Sequence, residues 1–150
     1  MRVVVQRVSE ASVRINGEVR GEIGLGFMIL LGIEYGDDSQ DVEWLCRKIT
    51  NLRVFGDDQG LMNRSIKDVS GNSLVISQFT LHASTKKGNR PSFIRAAKPE
   101  HAIPLYEIFL EQLSEMIGCP VEKGEFGADM KVALINDGPV TLIIDSRNRE

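Results

Sequence analysis

Histidine and cysteine are scarce: the 150 residues include two of each. Cys46 and Cys119 alone make neither a disulfide framework nor a four-ligand metal site. Cys46 falls on the apolar face of a helical segment and reads as packing. A Ser-His-Asp arrangement needs a nucleophile, a base and an orienting group. His101 sits in the first turn of a predicted helix. His82 follows Thr80 by two residues, and on a strand such neighbours stand roughly 6.5–7 Å apart, beyond a hydrogen bond. No Gly-x-Ser-x-Gly elbow occurs. Gly24-Leu25-Gly26 enters a strand and lacks a following Gly-Lys-Ser/Thr, so it is not read as a phosphate loop. Asp57-Asp58 has no further ligand in register and reads as a solvated turn. Long apolar runs are missing too. The longest, Leu25 to Ile33, is broken by glycines and falls short of a membrane span. Charge interrupts Met1 to Arg7 too early for a signal peptide. The expectation is a cytoplasmic protein with no membrane, metal or cofactor. Any reaction it promotes should be easy to begin with, or should borrow a group from the substrate.

The length suits one domain over residues 1–150, burying roughly 69% of its unfolded surface. The formal net charge of −3 argues against a generic nucleic-acid binder. Its distribution matters more. Ser84 to Lys98 holds five basic residues (Lys86, Lys87, Arg90, Arg95, Lys98) and no acidic one, leaving 13 basic against 21 acidic elsewhere. A basic segment on an acidic body steers a phosphate-bearing ligand; the plainer reading is a solvated loop.

Periodicity supplies the elements. Residues 2–8 and 11–15 read as two short strands, with Asn16-Gly17 as a turn and a further extended piece around Val19 to Ile23. Phe27 to Ile33 reads as a central strand covered on both faces. Asp37-Asp38-Ser39 caps a helix over about 40–53, with Val42, Leu45, Cys46, Ile49 and Leu52 as its stripe. Residues 63–72 are polar and read as a loop. A second helix spans roughly 99–117, starting at Pro99 and stopped by Gly118. The sum is about seven strands and two helices: an α+β domain with a mostly antiparallel sheet or barrel-like core.

Two stretches stand out. Leu74 to Leu81 begins as a buried strand and then turns polar. On a strand, Ser77, Phe79 and Leu81 share one face, and Gln78, Thr80 and His82 the other. Polar side chains at a strand end suggest a cleft; a strand running out to solvent is the alternative. Asn136-Asp137-Gly138-Pro139-Val140-Thr141 lies between the apolar runs 131–135 and 140–144. Asp-Gly there reads as a hairpin turn. Yet Pro139 has no N–H to close such a turn, and Gly-Pro bonds are candidates for the cis isomer.

Together, Ser77-Gln78-Phe79-Thr80-Leu81 and Asn136-Asp137-Gly138-Pro139-Val140-Thr141 resemble the two signature motifs of the D-aminoacyl-tRNA deacylases (the D-tyrosyl-tRNA deacylase family). The likeness also covers Arg2 to Val13, Gly24 to Gly32, Gly88 to Phe93 and Phe126 to Met130. It implies a homodimer that removes D-amino acids, and glycine, from mischarged tRNA. It further implies a Gly138-Pro139 cis peptide entering the partner subunit's site, with Gly138, Pro139 and Asn136 binding substrate and rejecting L-aminoacyl esters. An aminoacyl ester is already activated, and the 2′-hydroxyl of the terminal adenosine can join the chemistry. Backbone N–H groups near Phe79 and Thr80 would polarise the carbonyl. Ser77 and Gln78 would orient the adenosine or the carbonyl, and Thr80 would position rather than attack. Lys86, Lys87 and Arg90 would meet acceptor-stem phosphates. His82 follows Leu81 where a small or varied residue is expected, and no role is assigned to it. Two alternatives stay open: a non-catalytic tRNA- or nucleotide-binding module, and a small-ester hydrolase with Thr80 as nucleophile.

Overall fold

Strand β1 (Arg2–Ile15) is one element of 14 residues, not the two short strands expected. The computed structural model describes residues 1–150. In it, one edge of β1 pairs antiparallel with β3 (Gly26–Gly32) over Arg2 to Val8 and with β2 (Glu18–Ile23) over Ala11 to Ile15. The other edge pairs with β8 (Lys131–Asp145), from Arg2 opposite Asp145 to Arg14 opposite Lys131. Val3 and Val5 are buried, then Val8, then Ala11, Val13 and Ile15. The alternation slips between Val5 and Val8 and again before Ala11, where the register with β8 also shifts. Bulges carry the strand through those slips, so a break in period 2 is not a break in the chain's pairing.

β3 lies at the centre, buried except at Leu30. It pairs in parallel with β6 (Asn72–Ser77), which pairs in parallel with the short β7 (Glu122–Lys123). β7 comes back against β2: a Cβ on Gly21 would lie 2.9 Å from the Lys123 carbonyl. The result is a mostly antiparallel, nearly closed barrel with β8 on its outside edge.

The second helix falls where periodicity placed it, and the first ends three residues earlier than expected, leaving Leu52 beyond it. α1 (Ser39–Thr50) begins at a capping box: Asp38 accepts from the N–H groups of Gln40 and Asp41, and the Asp41 carboxylate accepts from Asp38 N. α2 (Pro99–Ile117) has proline at its first position and ends at Gly118, φ +90°. They pack on each other and on β3, around Phe27, Ile29, Leu31, Leu45, Ile49 and Phe109. The polar stretch 63–72 is not wholly loop. Its start pairs as β5 (Met62–Arg64) with β4 (Phe55–Gly56) around the Asp57 turn. Asp57 Oδ1 accepts from the N–H groups of Gln59 and Leu61, so it caps that turn. No helix is long and apolar enough to cross a membrane.

The two stretches singled out in the sequence differ most from expectation. β6 stops at Ser77, and Phe79–His82 forms a 3₁₀ turn instead of continuing the strand. The runs 131–135 and 140–144 are not two strands of a hairpin. Both belong to β8, because both pair with β1 rather than with each other.

Candidate active site

The first half of the site forms where β6 leaves β3. Gln78 N still donates to Leu31 O at 2.8 Å, and then the chain coils. Coiling cancels the strand-face argument for residues 77–82. It brings Gln78 and Thr80 together: Gln78 Nε2 donates to Thr80 Oγ1 at 2.6 Å. The first N–H groups of a helical turn have no partner within it, which leaves donors at this end of Phe79–His82. Arg2 steadies the far end, donating from Nη1 to Leu81 O at 2.9 Å. Asp145 in turn holds Arg2, accepting from Nε at 3.0 Å with Nη2 at 2.9 Å. Burial alone would raise the Asp145 carboxyl. Donation from the N–H groups of Arg147 and Asn148 and from Arg2 holds it below the ordinary carboxylate value.

A cleft of about 610 Å³ opens beside this turn, walled by Ser77, Gln78, Phe79, Phe93, Phe126 and Met130 among others. Phe79 is 54% exposed and meets the Phe93 ring edge-on, centroids 5.0 Å apart. Such a cleft, mostly apolar with a few polar groups, suits a small ligand. Thr80 is exposed, with Gln78 as its side-chain partner. No imidazole activates it. Neither ring nitrogen of His82 has a hydrogen-bond partner, and His101 Nε2 lies 3.0 Å from Asp37 O. No cluster of three or more metal-ligating side chains occurs.

The second half is a bulge in β8. Gln6 pairs with Thr141 and Val8 with Asn136, so Asp137 to Val140 all stand opposite Arg7. The Gly138-Pro139 bond is cis, and Gly138 has φ +126°. Arg7 donates from Nε to Asp137 O at 3.1 Å and from Nη1 to Val54 O. Asn136 closes the base of the bulge. Its amide donates to the carbonyls of Arg7 and Val140, both at 3.1 Å, and accepts from Gln6 Nε2 at 3.2 Å and Thr141 Oγ1 at 2.9 Å. Gly138 and Pro139 are exposed.

Within one chain, Ser77, Gln78 and Phe79 share the cleft, and Thr80 joins them through Gln78. Asn136, Gly138 and Pro139 are not among the cleft's walls. Lys86, Lys87 and Arg90 are exposed on the loop after the turn, closed by pairing of Ser84 with Ser92. Arg2, Arg7, Phe93 and Met130 were not singled out from the sequence as site residues. Arg7 carries no local signal, since β1 also holds Arg2, Gln6, Glu10 and Arg14. Phe93 and Met130 lie in stretches that the family likeness covers, but only the fold brings them to the strand end.

A family model described as D-Tyr-tRNA(Tyr) deacylase matches residues 4–145. The chain is 63% identical to a D-aminoacyl-tRNA deacylase of Bacteroides fragilis (strain YCH46), over all of both chains. It is 55% identical to a protein of that name from Flavobacterium johnsoniae, again over the full length of both. Among solved structures, one described as c-Myc DNA Unwinding Element Binding Protein is similar with a TM-score of 0.90 and 43% identity, covering 97% of this chain and 98% of that one. A probable eukaryotic D-amino acid tRNA deacylase shares the fold, with a TM-score of 0.81 at 16% identity, over 95% of this chain and 97% of that one.

Proposed function

The chain belongs to the D-Tyr-tRNA(Tyr) deacylase family and is a D-aminoacyl-tRNA deacylase, and from that premise we propose how its residues divide the work. The cleft beside Phe79 takes the 3′ aminoacyl-adenosine of the tRNA. The ester carbonyl meets the free N–H groups at the start of the Phe79–His82 turn, which stabilise the oxyanion. Gln78 and Thr80, joined by their hydrogen bond, orient the ester, and Ser77 orients the adenosine. Water adds to the carbonyl carbon, the ester C–O bond breaks, and the ribose oxygen leaves with a proton. The products are free tRNA and the amino acid. The neighbouring 2′-hydroxyl moves the proton that no side chain here is placed to move. The observation that carries this reading is the pairing of free turn donors with a Thr80 whose side-chain partner is an amide rather than a base.

Chirality is assigned to the bulge. Carbonyls of the Gly138-Pro139 segment hold the α-amino group and occupy the space an L side chain needs, so selection works by a clash. Glycine lacks that side chain and passes, so glycyl-tRNA is also cleaved. Since the bulge is not among the walls of its own chain's cleft, a second copy would supply it. β8 offers an unpaired edge with Ile135 and Ile143 exposed, which supports a homodimer with a cross-subunit site. Lys86, Lys87 and Arg90 then lie along the acceptor stem, and the work takes place in the cytoplasm, with the translating pool of tRNA.

The test is hydrolysis of D-tyrosyl-tRNA, L-tyrosyl-tRNA and glycyl-tRNA, with sedimentation to give the oligomeric state. Cleavage of the D and glycyl esters by a dimer is expected. Equal inertness toward all three, with tRNA still bound, would favour a binding module; L cleavage at the D rate would remove the bulge from selection.

A further inference from the structure

Among the buried ionisable side chains that the reaction does not use, His82 alone has no hydrogen-bond partner. His82 ends the Phe79–His82 turn, 1% exposed, and both of its ring nitrogens lack a hydrogen-bond partner. Neutral imidazole carries one donor and one acceptor, and buried polar atoms are nearly always paired. The ring is not loosely held. Gly32 packs against it, where an added Cβ would come within 3.1 Å of Cδ2. Its Nδ1 faces the Glu34 carboxylate at 3.7 Å, roughly 0.5 Å beyond the ~3.2 Å limit of an N–H···O bond.

Glu34 leads directly to the opposite wall of the cleft. The same Oε2 accepts from Arg95 Nε at 3.2 Å and Nη2 at 2.8 Å. The backbone of Glu34 pairs with Ala96, and Ala97 N donates to Ile33 O at 2.9 Å. Two residues before Arg95 stands Phe93, whose ring meets Phe79. The path from Phe79 through His82, Glu34, Arg95 and Phe93 returns to Phe79. The gap between His82 and Glu34 is the one polar link in it that is not made.

We propose that His82 is a positioning residue for deacylation: its Nδ1–H bonds Glu34 when the acceptor end fills the cleft, locking the Phe79–His82 turn to the Arg95 segment. Site hydrogen bonds that are long without ligand commonly tighten in the complex. The bond fixes the Phe79–Phe93 pair and, through the turn, the N–H groups that face the ester. This inference rests on the reading of the cleft as the acceptor-end site.

Two substitutions separate positioning from packing. His82→Phe fills the buried volume without a donor; His82→Gln keeps an N–H donor. Expected are a fall in kcat of about fivefold or more for His82→Phe with KM within about twofold, and near wild-type turnover for His82→Gln. Arg95→Ala, at an exposed position, should give a loss similar to His82→Phe. A packing role reverses the order, and His82→Phe at the wild-type rate would overturn the proposal. Nitrogen-15 NMR of the wild-type ring needs neither activity nor a variant. Saturation with a non-hydrolysable 3′-aminoacylamino-adenosine should move Nδ1 to a hydrogen-bonded N–H. An Nδ1 signal unmoved by bound probe also overturns the proposal. Should the wild-type protein leave D-tyrosyl-tRNA intact, the deacylase reading fails, and the ring signal still decides the His82–Glu34 bond.

Discussion

Arg7 props Asp137 away from the sheet. Its Nε donates to the Asp137 carbonyl at 3.1 Å, and the Asp137 carboxylate lies 3.6 Å from the same nitrogen. One residue of β1 thus answers four of β8, and those four project as a unit. The strand on either side keeps its pairing, so the projection has a rigid base.

Gly138→Ala should weaken that unit. The steric part is modest: the Arg7 guanidinium tip met at 2.9 Å can shift, while Val140 Cγ2 at 3.0 Å and Val140 N at 3.1 Å must give slightly. The backbone part is not, since φ +126° is a conformation L side chains rarely adopt, at about 1–3 kcal/mol. Urea unfolding should show a loss of that size, and D-tyrosyl-tRNA hydrolysis should fall by about tenfold or more. Unchanged hydrolysis in a destabilised protein would mean the projecting carbonyls are not used.

Thr80→Ala should keep most of the activity. Its hydroxyl bonds Gln78, and no base stands ready to activate it. A loss under about tenfold is expected in single-turnover hydrolysis. Abolished turnover at unchanged tRNA affinity would instead make Thr80 the nucleophile.

Removing Lys86, Lys87 and Arg90 together, as alanines, should weaken tRNA binding without touching selectivity. If all three meet duplex phosphates, the slope of log affinity against log salt should fall by roughly 2–3 units. Titrations at several salt concentrations measure it. An unaltered slope would place the tRNA backbone elsewhere.

Asp145 sets an acid limit on the Arg2 anchor. Its folded-state carboxyl is held below the ordinary value, despite burial. The unfolded chain therefore binds that proton first as pH falls. The stabilisation is fully present above about pH 4 and is lost as pH drops through the lowered value. Asp145→Asn should remove that part of the acid dependence, read as urea midpoints at pH 7, 4 and 3.

The fold was readable wherever periodicity and caps agreed. α1 and α2, the buried β3 and the Asp57 turn all carry local signals that their surroundings do not contradict. Two misreadings share one cause. A bulge in β1 and a bulge in β8 each look, locally, like the end of a strand, because alternation breaks and turn residues gather. Only the partner strand decides whether pairing resumes, and that is a non-local fact. The Ser77 to Thr80 stretch was legible as a site but not as a coil, since nothing in its composition forbids a longer strand. Arg2 and Phe93 lie in stretches that the family likeness covers, yet no site role could be read for them, because β1 and the basic loop reach the turn only through tertiary packing.

The pairing of β1 with β8 also fixes the order in which the protein can form. Arg2 meets Asp145 across 143 positions of sequence, and the whole ladder between them is equally remote. Contacts that distant give a high contact order, and sheets of that kind fold in milliseconds to seconds rather than microseconds. Helices, the small hairpin and the pairing of β1 with β2 and β3 can form while synthesis continues, but the other edge of β1 must wait for β8. Until then the open edge of β1 is exposed to other chains, and the Asp137 to Val140 projection has no Arg7 behind it. The Asp137 to Val140 projection is the last feature of this sheet to be seated.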